Sequence, residues 1–325
     1  MPVAPLFHAQ GWGVPQAATL MANKIVLPGR YAMEDMAPLV EAIMAEGVSL
    51  ITGVPAIFLP MLRYIETLPD KPDLSRLRMI CGGSEPPVSM MIGFYELTGA
   101  EVVHCYGGTE SSPLATMNRL KPTLGKGLKG EQRWDIRRNQ GLPVAGLDIK
   151  LLGPDGQELP HDGKSVGEIC LRGPWVTANY YGMSDSADRF VDGYWRSGDA
   201  GTIMENGYLK VTDRLKDVIK SGGEWISSID MENALVGHPA VLEAAVVGVP
   251  HPKWEERPLA LVVLKPNRHV TLQELHEHLS GTFCKWQLPD QVIFVESIPK
   301  TSVGKLNKKG IRDEYVGLYQ QATDE

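Results

Sequence analysis

The 325-residue sequence contains few cysteines and no paired cysteine motif. Its four cysteines, Cys81, Cys105, Cys170 and Cys284, lie far apart and form no CxxC pair. A zinc knuckle and a disulfide framework both need characteristically spaced cysteines, so the sequence indicates neither. We interpret all four as buried, reduced thiols of a cytoplasmic protein.

The sequence also lacks a long apolar run and an excess of positive charge. No stretch approaches the roughly 18 apolar residues that span a bilayer, and no signal peptide is evident near the start. Lys and Arg number 32 against 39 Asp and Glu, which gives a net charge of −7. Nucleic-acid-binding proteins usually carry a positive net charge or a basic surface patch. We therefore predict no transmembrane segment and no nucleic-acid partner, and leave the oligomeric state open, a homodimer included.

Length and composition indicate a globular protein with two domains. A chain of 325 residues exceeds what one core usually holds, at about 100–200 residues per domain. Apolar residues make up 43% of the chain, which excludes a disordered or collagen-like protein. The opening stretch, residues 1–7, is typical of the end of a strand, so we expect the natural protein to begin earlier.

Three kinds of pattern follow one another along the chain. Between Tyr31 and Tyr106, helical and strand patterns alternate, which favours a mostly parallel sheet covered by helices. From about 141 to 213, short alternating segments predict a small antiparallel β subdomain. The remainder has an α+β pattern. We predict an α/β fold with a large domain at 1–213 and a small mobile α+β domain at 214–325.

Individual elements are predicted from apolar spacing and from the residues that end helices. The helices expected in the first part span 36–46, 56–68 and 88–97, and the strands span 48–54, 77–81 and 101–106. In the last part, Ser227 or Ser228 should begin a helix, and Thr271 with Glu274 forms a capping box for another.

The stretch Tyr106-Gly107-Gly108-Thr109-Glu110 follows a predicted strand. Ligands of α/β folds bind outside the carboxyl ends of such strands. The glycines would let a phosphate approach the backbone, Thr109 can donate its hydroxyl, and Glu110 offers an oxygen ligand for Mg²⁺. A glycine turn with a surface acid is an equally simple reading of these residues alone.

Four other stretches share this ambiguity. Their sequences are GGSEPP at 82–87, SGD at 197–199, DRLKD with SGGE between 213 and 224, and PKTSVGK at 299–305. Taken one by one, they read as turns, a solvated linker and a loop with a lysine at its tip.

Together, in this order and spacing, the five stretches resemble the adenylate-forming superfamily, which includes acyl-CoA synthetases, firefly-type luciferases and the adenylation domains of peptide synthetases. Phe7-His8 and Trp12 look like the family's aromatic-histidine stretch and the tryptophan that gates the acyl tunnel. The resemblance covers nearly the whole chain, but only the carboxyl-terminal part of the family fold. Because the family's phosphate loop would lie upstream of residue 1, we expect this chain alone to use ATP poorly. The sequence also differs from many family members at Glu85, where those members carry a small residue.

The resemblance implies an ATP-dependent acyl-CoA ligase of fatty acid metabolism. A medium-chain, long-chain or similarly apolar carboxylic acid would react with ATP to give an acyl-adenylate, and coenzyme A would then take the acyl group and release AMP. Two alternatives stay open. One is another adenylate-forming enzyme, luciferase-like or loading a carrier protein, and the other is a fragment that binds nucleotide without catalysis.

The resemblance also assigns roles to residues. The catalytic groups would be Lys305, Thr109, Glu110 and His8, with Glu110 holding Mg²⁺. The nucleotide would be bound by Gly82, Gly83, Ser84, Glu85, Tyr106, Gly107, Asp199 and Arg214. The acyl pocket would be formed by His8, Trp12 and Gly108, and the coenzyme A channel by Gly222, Gly223 and Glu224. Lys216 would be the hinge between the domains.

Overall fold

The computed structural model describes residues 1–125, 128, 130–183, 186–222, 224–301 and 306–319. The chain divides into two compact units. The first comprises Met1–Ser197 and Thr202–Lys210, and the second comprises Gly198–Gly201 and the chain from Val211 onward. The chain therefore passes between the units more than once.

The first unit is built on a sheet with strand order β1-β2-β3-β4-β5. Its strands are β1 (Leu50–Gly53), β2 (Arg78–Cys81), β3 (Glu101–Tyr106), β4 (Thr116–Met117) and β5 (Leu142–Pro143). Strands β1, β2 and β3 pair in parallel, whereas β4 and β5 add antiparallel pairs beside β3. The carboxyl ends of β2 and β3 consequently lie side by side.

Helices accompany this sheet in the same unit. They are α1 (Ala9–Leu20), α2 (Ala37–Ala45), α3 (Pro55–Thr67), α4 (Val88–Thr98), α5 (Pro122–Gly125) and α6 (Glu131–Arg137). Pro55 begins α3 at a position where a missing N–H costs nothing, and Gly99, at φ 74°, ends α4 in the left-handed conformation. Ile51, Met79 and Phe94 are fully buried, so apolar strands and helix faces form one core.

A second, antiparallel sheet has strand order β10-β9-β7-β6, with β8 paired to β9. Its strands are β6 (Asp148–Leu152), β7 (Gly167–Arg172), β8 (Phe190–Val191), β9 (Tyr194–Ile203) and β10 (Leu209–Arg214). Residues 198–201 of β9 and 211–214 of β10 group with the second unit.

The second unit contains a sheet with strand order β12-β11-β14-β13, and β15 lies parallel to β14. Its elements are β11 (Ile219–Ser221), β12 (Glu224–Ile226), α7 (Ser228–Gly237), β13 (Val241–His251), β14 (Glu255–Leu264), α8 (Leu272–Leu279), β15 (Gln291–Phe294) and α9 (Lys308–Tyr315). Alternate residues of β13 face two different cores: Ala244 and Val246 belong to one, and Ala245 and Val247 to the other.

The predicted α/β fold class is confirmed, including the parallel sheet layer and the antiparallel subdomain.

The interpretation of all four cysteines as buried is wrong for one of them. Cys81, Cys105 and Cys170 are buried, but Cys284 is exposed because it precedes the short 3-10 helix Lys285–Gln287 in a surface loop. Across the described ranges, none of the helices combines the length and apolarity needed to cross a membrane.

Candidate functional site

The turn after β3 is shaped by a glycine that no other residue could replace without a shift. A Cβ on Gly107 would lie 2.0 Å from the carbonyl oxygen of Pro113. Ser111 closes the turn, since its Oγ accepts a hydrogen bond of 2.9 Å from the Gly108 N–H. Thr109 is exposed at the start of a short 3-10 helix. The turn therefore presents the Thr109 hydroxyl at the end of a strand, and it needs glycine at 107 because the Pro113 carbonyl packs against it.

The carboxylate of Glu110 is oriented by two aromatic residues that are distant in sequence. The Tyr180 hydroxyl donates a hydrogen bond of 3.0 Å to Glu110 Oε1, and Trp195 Nε1 donates one of 2.9 Å to the Tyr180 oxygen. Burial and the neighbouring Glu110 carboxylate raise the pKa of Tyr180, although the Trp195 bond opposes the shift. The phenol therefore stays protonated and remains a donor to Glu110.

The chemistry of this turn fits Mg²⁺ bound together with phosphate. Within the described part of the chain, no group of three or more His, Cys, Asp or Glu side chains could hold a metal by itself. Mg²⁺ is commonly held by one or two carboxylates plus substrate phosphates rather than by a protein cage. A single oriented carboxylate, Glu110, next to the exposed Thr109 hydroxyl meets that requirement.

The end of β2 lies against the start of α1. A Cβ on Gly82 would be 2.5 Å from Gln10 Nε2 and 2.9 Å from Cys105 Sγ. The next residue, Gly83, has φ +83°, and it is exposed together with Ser84. The structure thus brings the His8–Trp12 stretch, the Gly82 turn and the end of β3 together in the first unit.

Glu85 has a structural partner. Its side chain is only 4% exposed, and Arg138 Nη2 lies 3.2 Å from its Oε1. Gln140 Nε2 donates to Glu85 Oε2 at 3.4 Å. The Glu85 carboxylate is therefore held in an ion pair inside the protein.

His8 and Trp12 lie at the first turn of α1. His8 is the N-cap residue, and its Nδ1 accepts a hydrogen bond of 3.2 Å from the Gln10 N–H. Trp12 is 45% exposed. Nearly half of the surface of Trp12 is therefore accessible.

In the second unit, the structure brings the two predicted ribose-binding residues together. Arg214 Nε lies 3.6 Å from Asp199 Oδ1. Their side chains are 54% and 19% exposed, respectively. The backbone supports the pair, because the Leu215 N–H donates to the Gly198 carbonyl at 2.9 Å.

The hinge and channel residues lie in the same unit. Lys216 is exposed and follows Arg214 in a turn closed by the bond from Asp217 N–H to the Arg214 carbonyl, 2.8 Å. Gly222, at φ +62°, packs beneath Trp254, whose Cε3 would be 3.3 Å from a Cβ there. Lys305, Gly223 and the side chain of Glu224 lie outside the described residues.

Sequence reasoning missed the residues that support the site. Tyr180 and Trp195 orient Glu110, and Trp254 covers Gly222. These residues are remote in sequence from the groups that they contact. The density of aromatic residues between 175 and 195 was the available signal, and it does not identify a partner.

Two family profiles match the chain. A profile described as "AMP-binding enzyme" matches residues 1–181, and one described as "AMP-binding enzyme C-terminal domain" matches residues 230–305. The first matched range lies within the first unit and the second within the second unit.

Among curated proteins, a long-chain-fatty-acid–CoA ligase of Thermus thermophilus is 45% identical over 322 residues, which is 98% of this chain and 58% of the relative. A medium-chain-fatty-acid–CoA ligase of Ectopseudomonas oleovorans is 38% identical, covering 97% of this chain and 57% of the relative. The chain thus spans less than two thirds of the curated relatives it matches.

Solved structures show the same architecture. ATP-bound MatB from Rhodopseudomonas palustris superposes with a TM-score of 0.82 at 26% identity, over 98% of this chain and 60% of that structure. The amide bond synthetase McbA from Marinactinospora thermotolerans gives a TM-score of 0.84 at 28% identity, over 97% and 60% respectively.

Proposed function

The chain belongs to the AMP-binding enzyme family, and on that premise we propose that it activates a carboxylic acid with ATP and transfers the acyl group to coenzyme A. The fatty-acid–CoA ligase names of two relatives support a medium- or long-chain apolar acid as substrate. Reduced cysteines and the substrates ATP and coenzyme A fit a cytoplasmic location, which is part of the proposal.

The chemistry explains why two steps are needed. A carboxylate is a poor electrophile because its charge is delocalised and its leaving group would be oxide. Attack of the carboxylate on the α-phosphorus of ATP forms a carbon–oxygen–phosphorus link and releases pyrophosphate. The thiol of coenzyme A then attacks the acyl carbon, and AMP leaves with the bonding electron pair.

Residues of the first unit serve the nucleotide in this proposal. The Thr109 hydroxyl donates to a phosphate oxygen, and Tyr106 lies against adenine. Glu110, held by Tyr180, would bind Mg²⁺, which supplies positive charge to the phosphates when bound. The backbone of residues 82–85 borders the base and the acyl pocket, and His8, Trp12 and Gly108 line that pocket.

Residues of the second unit complete the assignment. The Asp199 carboxylate accepts hydrogen bonds from the ribose hydroxyls, and the Arg214 guanidinium donates to the same sugar. Lys305 bridges the acyl carboxylate and the α-phosphate during adenylation. For thioester formation the small domain turns about Lys216, and Gly222, Gly223 and Glu224 then admit the pantetheine arm.

The observation that carries this proposal is the turn after β3, where Thr109 is exposed and the Glu110 carboxylate is held in place by Tyr180. A fixed carboxylate beside an exposed hydroxyl suits a nucleotide phosphate that binds with its metal.

The test supplies this chain with preformed decanoyl-AMP and coenzyme A and measures decanoyl-CoA by mass spectrometry. We expect thioester well above the uncatalysed rate, and a loss of at least about tenfold in Asp199→Asn. Asp188→Asn, which changes an exposed carboxylate of the first unit, is the matched control. A rate no faster than without protein would refute the proposal.

The likeness to an amide bond synthetase favours one second candidate, in which an amine takes the acyl group. Offering decanoyl-AMP with equal amounts of coenzyme A and an alkylamine separates the two. Predominant amide would replace coenzyme A as the proposed acceptor, and predominant thioester would retain it.

A further inference from the structure

A buried polar network in the second unit connects α9 with the end of β10. Lys308 Nζ forms an ion pair of 2.8 Å with Glu232 Oε1 and donates a hydrogen bond of 2.5 Å to Ser228 Oγ. The Ser228 hydroxyl in turn donates to Asp213 Oδ2, which also accepts a bond of 3.0 Å from the Ser228 N–H. Three elements, α9, α7 and β10, are thereby joined through side chains.

The network lies almost entirely out of water. Asp213 is 2% exposed and Ser228 is fully buried, while the side chains of Lys308 and Glu232 are each 13% exposed. Burial alone would lower the pKa of Lys308, but the charges of Glu232 and Asp213 raise it, so the ammonium form persists. A buried charge group of this kind costs desolvation energy and is better suited to fixing a geometry than to adding stability.

One end of the network contacts the backbone of Arg214, a residue predicted to bind the nucleotide. Asp213 Oδ1 accepts a hydrogen bond of 2.8 Å from the Arg214 N–H. Arg214 is the residue whose guanidinium approaches Asp199. Asp213 therefore contacts the backbone of the residue whose guanidinium approaches Asp199.

We propose that Lys308, Ser228 and Asp213 are positioning residues for the Asp199–Arg214 pair and act on affinity for the ribose of AMP. Lys308 holds Ser228, Ser228 holds Asp213, and Asp213 holds the backbone of Arg214. The inference rests on the proposed function, because the pair meets a ribose only if the site binds AMP.

Two variants interrupt the network without changing the net charge of the chain. Ser228→Ala removes the hydroxyl link and keeps both the Lys308–Glu232 ion pair and the backbone bond to Asp213. The double variant Lys308→Met/Glu232→Gln removes both charges, while the Gln oxygen can still accept the bond from the Val246 N–H. Each is compared with a control: Lys309→Met changes the exposed neighbour of Lys308, and Leu279→Ala weakens the core elsewhere in the unit.

The measurement is isothermal titration calorimetry of each variant with AMP and with 2′,3′-dideoxy-AMP, which lacks the ribose hydroxyls. We expect both network variants to bind AMP about five- to thirtyfold more weakly, and the dideoxy nucleotide within about twofold of the unaltered chain. Lys309→Met and Leu279→Ala should keep the AMP-to-dideoxy-AMP affinity ratio of the unaltered chain.

The outcomes separate the inference from its premise. If the unaltered chain prefers AMP and the network variants keep that preference, or lose affinity equally for both nucleotides, the positioning role is overturned. If the unaltered chain binds both nucleotides equally or binds neither, the proposed nucleotide site itself fails, and the inference fails with it.

Discussion

At the scale of single residues, the Glu110 carboxylate depends on Tyr180, a neighbour 70 positions along the chain. Tyr180→Phe removes the only atom that makes this bond and keeps the ring. We expect MgATP to bind about fivefold more weakly, which corresponds to about 1 kcal/mol for one hydrogen bond. Metal-free AMP should bind unchanged, because it carries no β- or γ-phosphate for a Glu110-bound metal.

Calorimetric titration of both nucleotides tests this prediction. Tyr181→Phe is the control, since Tyr181 is fully exposed next to Tyr180. Equal weakening for MgATP and AMP would mean that Tyr180 supports the fold rather than the carboxylate.

His104 on β3 should make stability depend on pH. Its Nδ1 lies 2.7 Å from the Arg138 carbonyl, and burial lowers its pKa to about 4 from 6.5. The unfolded chain therefore binds the proton more readily, so this contribution is complete above pH 6.5 and is lost as pH falls toward 4. From pH 7 to 4.5 the loss is about 2–3 kcal/mol.

Urea unfolding at the two pH values checks the prediction. His104→Asn keeps a donor near the Nδ1 position but cannot take up a proton, so its unfolding free energy should fall less between pH 7 and 4.5. Parallel curves for the two proteins would contradict the role of His104.

Residue types and spacing predict local turns but not the side chains that support them. A glycine pair after a strand is a local signal, and it indicates the turn from Tyr106 to Glu110. Tyr180 and Lys308 carried no such signal, because their roles depend on contacts made only after folding. The functional roles assigned from the resemblance stay predictions.

At the scale of elements, α8 begins with the capping box that the sequence predicted. Thr271 Oγ1 accepts the Glu274 N–H at 3.2 Å, and Glu274 Oε2 accepts the Thr271 N–H at 2.8 Å. Thr271→Ala should lower the free energy of unfolding by about 1 kcal/mol, whereas Thr271→Ser should retain nearly all of it. Chemical denaturation measures the free energy of unfolding of both variants. Equal losses in the two variants would show that the Thr271 hydroxyl does not cap the helix.

Elements with a strong apolar rhythm were predicted within a few residues. The helix expected at 36–46 is Ala37–Ala45, and the strand expected at 101–106 is Glu101–Tyr106. Helix α1 was missed because Gly11, Gly13 and Pro15 interrupt any helical pattern, and packing overrides their poor propensity. Gly11 illustrates this packing, because the chain passes so close to it that a Cβ there would be 2.2 Å from the Pro5 carbonyl oxygen.

At the scale of the whole molecule, the proposed rotation needs freedom at Lys216. Lys216→Pro fixes φ of this residue and restricts the residue before it. We expect thioester formation from decanoyl-AMP to fall by about tenfold or more while AMP binding changes little. Lys216→Ala, which removes the charge but leaves the torsions free, should behave like the unaltered chain in both assays.

Stopped-flow or quenched thioester assays, paired with AMP titration, measure both quantities. A Lys216→Ala variant as impaired as Lys216→Pro would point to the lysine charge instead of the backbone.

The α/β fold class was predictable from the alternation of helix and strand patterns along the chain. The assignment of Gly198–Gly201 to the second unit was not predictable, because the change of unit occurs within a single strand.

Residues Gly198–Gly201 belong to the second unit, although the residues on either side of them belong to the first. This arrangement affects recombination between related genes. Asp199 lies in the short stretch of β9 that belongs to the second unit, while Arg214 lies downstream of an intervening segment of the first. A single crossover between two parental genes anywhere in that segment would therefore hand a progeny enzyme its aspartate from one parent and its arginine from the other. After a crossover in that segment, the pair stays intact only if the upstream parent carries the aspartate and the downstream parent carries the arginine.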